Sequence, residues 1–71
     1  MLIEPNYRGY RIAVTAVRVD DAWDANIHVR CTFGDMQPHI EVVTCRKPTA
    51  KAAEEHAAVY ARRWVDRHRA G

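Results

Sequence analysis

Two cysteines and four histidines are the first residues of this chain to consider as nucleophile, base or zinc ligand. Cys31 follows His28 by three positions, and residues three apart on a strand point to opposite faces. Serine is absent from the sequence, which excludes a serine nucleophile. An active site needs several polar residues that converge, and the pattern offers no such set. We therefore expect no catalytic residues and no enzymatic activity.

The histidines and cysteines also do not form a metal-binding pattern. They are His28, His39, His56, His68, Cys31 and Cys45. A closed zinc site needs four converging nitrogen or sulfur ligands, but no two histidines have the i, i+4 spacing of a helical ligand pair. The cysteines do not form the close pair found in zinc sites. We expect neither a metal ion nor another cofactor.

Lysine and arginine gather in two clusters that could contact phosphates. The first cluster is Arg46, Lys47 and Lys51, and the second is Arg62, Arg63, Arg67 and Arg69. An ordinary solvated helix also explains the second cluster, because Arg62 and Arg63 lie four and three residues before Asp66 and can pair with it. Nucleic-acid binding through Arg46, Lys47, Lys51, Arg62 and Arg63 is therefore the alternative function, not the leading one.

Alternating apolar and polar residues predict three strands, at about residues 10–19, 23–33 and 39–46. The Asp20-Asp21 pair predicts a tight turn. This turn would set Ala16 opposite Ala25, Val14 opposite Ile27 and Ile12 opposite Val29, with both apolar rows on one face. A second loop, centred on Met36, would set Ile27 opposite Cys45 and Cys31 opposite Glu41. Val43 and Cys45 would then face the core.

A helix is predicted at about residues 49–69. Thr49 is a good N-cap, and apolar residues follow at helical spacing: Ala53, Ala57, Tyr60, Ala61, Trp64 and Val65. Residues 1–9 contain Pro5 and Gly9 and are predicted to be an irregular lead-in. The expected fold class is α+β. It is a single βββα domain over residues 1–71, with a three-stranded antiparallel meander and the helix packed on one face.

One helix covers one face of a sheet, so the other face is expected to be open. It would carry Ala13, Thr15, Val17, Ile40 and Val42, flanked by Arg11, His28 and Arg30. Exposed apolar patches often mark interfaces. We expect a homodimer through these five residues or through a sheet edge, and possible protein partners. The leading function is a small non-catalytic interaction module.

Charge and hydropathy are compatible with this expectation. The formal net charge is +2, well below the basicity of a dedicated nucleic-acid-binding protein. No apolar run approaches the roughly 18 residues that a membrane span requires. The first residues lack the basic and apolar stretches of a signal peptide. We expect a cytoplasmic protein that does not bind membranes, with both thiols reduced.

Two short motifs resemble known proteins. The opening Tyr7-Arg8-Gly9-Tyr10, Trp23 and the ending Trp64-Val65-Asp66 resemble a group of short, uncharacterised proteobacterial βββα proteins. This resemblance implies the same fold in a bacterial protein and implies no function. The stretch from Arg46 to Ala53 is similar to the start of the last helix in double-stranded-RNA-binding domains. That likeness implies that Lys47 and Lys51 contact phosphates, although the first helix of those domains has no counterpart here.

Overall fold

A computed structural model describes residues 1–33 and 37–68 as a four-stranded antiparallel sheet with one helix. The elements are β1 (Leu2–Tyr7), β2 (Tyr10–Val19), β3 (Ala22–Cys31), β4 (His39–Lys47) and α1 (Ala50–His68). The strands lie in the order β1-β2-β3-β4 across the sheet. As far as it is described, α1 has no apolar stretch long enough to span a membrane.

The strand β1 corrects the predicted three-stranded fold, in which residues 1–9 were an irregular lead-in. Leu2 lies opposite Val14 of β2, and Ile3 lies opposite Ala13. The register shifts after Glu4, and Pro5 has no backbone N–H to donate. These interruptions break the period-two pattern, so the alternation that predicts the other strands does not appear in β1.

The predicted pairing of β2 with β3 is confirmed, since Ala16 lies opposite Ala25 and the rest of the ladder follows. The predicted pairing of β3 with β4 is wrong, because Ile27 lies opposite Glu41 rather than Cys45. An even shift keeps each side chain on its face, so Val43 still lies in the core, 6% exposed. The predicted loop centre, Met36, lies outside the described residues.

A bulge in β4 is held by one buried carboxylate. The register shifts between Ala25, opposite Val43, and Trp23, opposite Lys47. The intervening residue of β3, Asp24, is 5% exposed. Its Oδ1 accepts hydrogen bonds from the backbone N–H groups of Cys45 at 3.0 Å and Arg46 at 2.9 Å. The Arg46 N–H is the main reason that the pKa of Asp24 lies below its ordinary value.

The helix α1 places small residues against the sheet. Thr49 Oγ1 accepts a hydrogen bond from Ala52 N–H at 3.1 Å, which confirms the N-cap. The buried helix residues are Ala53, Ala57, Ala58, Ala61 and Val65. Across from them lie the largest buried side chains of the sheet: Ile12, Val14, Ile27 and Val29. The predicted last helical residue, Arg69, lies outside the described residues.

The first prediction concerns Asp24. Asp24→Ala removes the acceptor of two bulge N–H groups, so we expect a lower free energy of unfolding at pH 7. Because the pKa of this carboxyl is lowered by folding, its contribution is present above about pH 4 and is lost as the pH falls through the lowered pKa. The loss of unfolding free energy in Asp24→Ala relative to the parent protein should therefore become smaller in acid. Urea unfolding of both proteins at pH 7 and at a pH below the lowered pKa measures this change.

Asp21→Ala is the matched control, because Asp21 is an exposed residue of the β2–β3 turn. We expect a smaller loss at pH 7 from this change. An equal loss in the two variants, or a difference that does not change with pH, would contradict the assigned role of Asp24.

The second prediction concerns the tight packing of α1 against the sheet. Ala57 is fully buried at 0% exposure, so Ala57→Leu forces extra atoms into a filled layer. We expect a loss of about 1–3 kcal/mol in unfolding free energy. Ala52→Leu, at a half-buried position outside the core, should change it by less than about 0.5 kcal/mol. Thermal unfolding of both variants checks the difference.

Candidate functional site

The face of the sheet opposite α1 is exposed and mixed in character. It carries the five residues predicted as an interface: Ala13, Thr15, Val17, Ile40 and Val42. Strand β3 lies between their two strands and contributes Asn26 and His28, both exposed, to the same face. Asn26 separates Thr15 from Val42, and His28 separates Ala13 from Ile40. The predicted residues share a face but do not form one continuous apolar patch.

The two edges of the sheet differ in how well they are protected. On β1, Pro5 and a register shift interrupt the edge. On β4, the residues His39–Val43 pair with β3 in unbroken register, and this stretch contains neither proline nor lysine. Proteins usually protect edge strands with such residues or with bulges. Over this stretch β4 presents a regular edge with no further strand beside it in the described sheet.

Glu41 lies at the centre of a polar cluster between β4 and α1. Its Oε2 accepts a hydrogen bond from the Tyr60 hydroxyl at 2.5 Å, and its Oε1 lies 2.8 Å from His39 Nε2. The hydrogen bond from Tyr60, followed by the contact with His39, holds the pKa of Glu41 below its ordinary value. The cluster ties the edge strand β4 to the middle of the helix.

Trp64 lies between two histidine rings next to this cluster. The ring centroids of Trp64 and His39 are 4.4 Å apart, and those of Trp64 and His68 are 4.0 Å apart. Both pairs are nearly parallel, at 14° and 13°. His68 Nδ1 also lies 2.8 Å from the Trp64 carbonyl oxygen. Within residues 1–33 and 37–68 no group of three or more possible ligands could hold a metal ion.

Tyr60, which belongs to this cluster, and Cys45, further along β4, are poor nucleophiles. The hydrogen bond to Glu41 raises the pKa of the Tyr60 phenol, and burial raises the pKa of the Cys45 thiol. Both groups therefore keep their protons at neutral pH. A shallow pocket of about 320 Å³ is lined by His56, Val59, Tyr60 and Arg63, and neither cysteine reaches it.

The basic residues predicted to contact nucleic acid lie in two separate places. Arg46, Lys47 and Lys51 lie where β4 ends and α1 begins, while Arg62 and Arg63 lie about 16 Å further along the helix. Arg62 Nε lies 2.8 Å from Glu4 Oε2 on β1. Its charge is therefore partly neutralised within the protein.

Asp66, which the sequence pattern paired with Arg62 and Arg63, has other partners. Its Oδ1 accepts a hydrogen bond from the Tyr7 hydroxyl at 3.0 Å and lies 3.4 Å from Arg8 Nε. Both partners belong to β1 or to the turn that follows it. The contact fastens the end of α1 to the first hairpin.

Comparison with known proteins adds no relative, since no family model, no curated protein and no solved structure matches this chain. The two motif resemblances therefore do not place the chain in a family. Its function must be argued from its own surfaces.

The role of Glu41 is not predicted above, although the sequence contains a clue to it. The pattern placed Glu41 opposite Cys31 on the core side of its strand, and a carboxylate on that side needs a polar partner. Tyr60 was the one hydroxyl-bearing residue in the apolar stripe of the predicted helix. These two facts together point to a bond between β4 and α1.

The third prediction tests this bond. Tyr60→Phe removes the hydroxyl that donates to Glu41, so the pKa of Glu41 should rise towards its ordinary value. His39→Gln removes the lesser cause and should raise it less. A carboxyl-detected NMR titration measures both variants, and an unchanged Glu41 titration in Tyr60→Phe would contradict the assignment.

Proposed function

We propose that this chain is a non-catalytic interaction module that forms a homodimer by pairing β4 with β4 of a second copy. The observation that carries the proposal is the regular edge over His39–Val43, a stretch without proline, lysine or a bulge. Ile40 and Val42 lie on this stretch, and they are 68% and 62% exposed. They are the most exposed large apolar residues within the four strands.

Antiparallel edge pairing about a twofold axis would satisfy the free backbone groups of β4. It would join two four-stranded sheets into one sheet of eight strands. Ile40 and Val42 of each copy would then lie beside β4 of the partner copy, where cross-strand contacts stabilise the pair. Each of these side chains loses exposed apolar surface, which favours association.

A face-to-face dimer has less support from the same structure. Packing two open faces together would bury the polar residues of β3, including Asn26 and His28. Burying such groups without hydrogen-bond partners costs free energy. The edge is therefore the better candidate for the expected homodimer.

Two further expectations remain part of the proposal. Cys31 and Cys45 are both free thiols, which is typical of a reducing compartment and supports a cytoplasmic role. Binding of nucleic acid through the helix clusters has less support than self-association. One arginine of these clusters, Arg62, is already paired with Glu4.

The fourth prediction tests the edge. Val42→Lys places a charge at the seam, and we expect the dimer to dissociate at least about tenfold more readily. Sedimentation equilibrium from about 10 μM to 1 mM spans the affinities expected of such a module. The parent protein should show a dimer within this range.

Thr15→Lys is the matched control, because Thr15 is exposed on the same face but lies on β2, two strands from the edge. It adds the same charge and should leave the edge dimer intact. A parent protein that stays monomeric throughout this range would overturn the proposal. Dissociation by Thr15→Lys would instead indicate a face-to-face dimer.

A further inference from the structure

Two arginines face each other across the open face of the sheet. Arg11 on β2 and Arg30 on β3 are direct cross-strand partners, and both are exposed. Directly opposed side chains have Cβ atoms about 5 Å apart, and like charges at this distance are destabilising. The sheet therefore keeps a repulsive pair where an uncharged residue would be more stable.

The described part of the chain supplies no counter-charge for this pair. Its arginine ion pairs use Arg8, Arg46 and Arg62. Asp24 is the one carboxylate that the described strands place on the open side, and it is buried against the bulge of β4. Among residues 1–33 and 37–68 no carboxylate is paired with Arg11 or Arg30, and a bound anion would relieve their repulsion.

His28 lies next to the two arginines along β3. It lies two residues before Arg30 on the same exposed face and pairs with Ala13, the next residue after Arg11 on that face of β2. Its ring is therefore a near neighbour of both arginines. Arginine and histidine can each donate hydrogen bonds to phosphate oxygens.

An exposed aromatic ring lies at the same end of the sheet. Phe33, predicted as the last residue of a strand, lies beyond the end of β3 and is 73% exposed. Its ring packs against Gly9, where an added Cβ would lie 2.8 Å from Phe33 Cε2. Thr32 N–H donates to the Gly9 carbonyl at 2.9 Å, which anchors this segment beside the β1–β2 turn. The ring is held in position and still offers most of its surface.

We propose that this end of the sheet binds single-stranded nucleic acid, with Arg11, Arg30 and His28 on the open face and Phe33 beyond the end of β3. One backbone phosphate placed between the two guanidinium groups would replace their repulsion with two charge-assisted hydrogen bonds. An unpaired base can stack on the exposed Phe33 ring, whereas the bases of a duplex are already stacked. The site is separate from the helix clusters and from the β4 edge.

The test is fluorescence anisotropy with labelled 12-nucleotide oligo-dT and oligo-U, and with a 12-base-pair duplex of mixed sequence, at about 50 and 200 mM salt. The parent protein should bind both single strands with a dissociation constant in the micromolar range at low salt, and the duplex more weakly. The double variant Arg11→Ala/Arg30→Ala should bind at least about tenfold more weakly. Loss of two phosphate contacts should also reduce the slope of log K against log salt by about 1.4.

The matched control is Lys47→Ala/Lys51→Ala, which also removes two positive charges, but from the region where β4 ends and the helix begins. It should bind like the parent protein. Arg11→Ala/Arg30→Ala should be at least as resistant to urea as the parent, because it removes a like-charge pair. Weaker binding in a variant of equal or greater stability cannot be attributed to unfolding.

Phe33→Ala separates stacking from charge. It should weaken single-strand binding and reduce the preference over duplex, while leaving the salt dependence unchanged. Three results would overturn the proposal: no binding by the parent protein at about 50 mM salt, equal losses in the two charge variants, or a duplex bound as tightly as the single strands.

Discussion

The fold is stabilised chiefly by the close contact between α1 and the sheet. Ala53, Ala57 and Ala61 are fully buried, but each contributes little apolar area. The larger share comes from Ile12 and Ile27 and their neighbours on the sheet. A chain of this length buries only about 60% of the surface that its unfolded form exposes, so one thin layer leaves little stability in reserve.

Polar contacts at the margins fasten the helix to both edge strands. Tyr60 bonds to Glu41 on β4, and Arg62 pairs with Glu4 on β1. Each contact joins a helix residue to a strand that the alanine stripe touches least. These bonds fix the orientation of the helix across the full width of the sheet. Packing of alanines on β2 and β3 alone would constrain this orientation less.

The parts of the fold that local chemistry determines could be predicted from the sequence. The two aspartates of the β2–β3 turn leave little freedom in loop length, so the register of that hairpin follows from its alternating pattern. The loop before His39 has no comparable marker of its centre. The bulge at Cys45 and Arg46 also depends on a bond from Asp24, a residue more than twenty positions away. The alternation of apolar and polar residues does not indicate such a bond.

The strand β1 also changes the ion pairs of the helix. An irregular lead-in gives Glu4 no place beside the helix, so the sequence offers Arg62 only Asp66, on its own helix, as a possible partner. With β1 in the sheet, Glu4 forms an ion pair with Arg62, and Asp66 contacts Tyr7 and Arg8. By contrast, the pairing of Arg11 with Arg30 follows directly from the register that the sequence did predict. The sequence does not show which charges surround this pair, and their positions come from the structure.

The two proposed surfaces are compatible on one sheet. Pairing β4 with its copy about a twofold axis perpendicular to the sheet leaves both open faces on the same side. Arg11 and Arg30 lie on the inner strands β2 and β3, so an edge dimer keeps both sites uncovered, whereas a face-to-face dimer would bury four arginines. A strand long enough to reach both sites would bind the second one intramolecularly and gain avidity. The polar residues along β3, the strand on which a closed apolar interface would have to be centred, fit a face that stays uncovered in the proposed dimer.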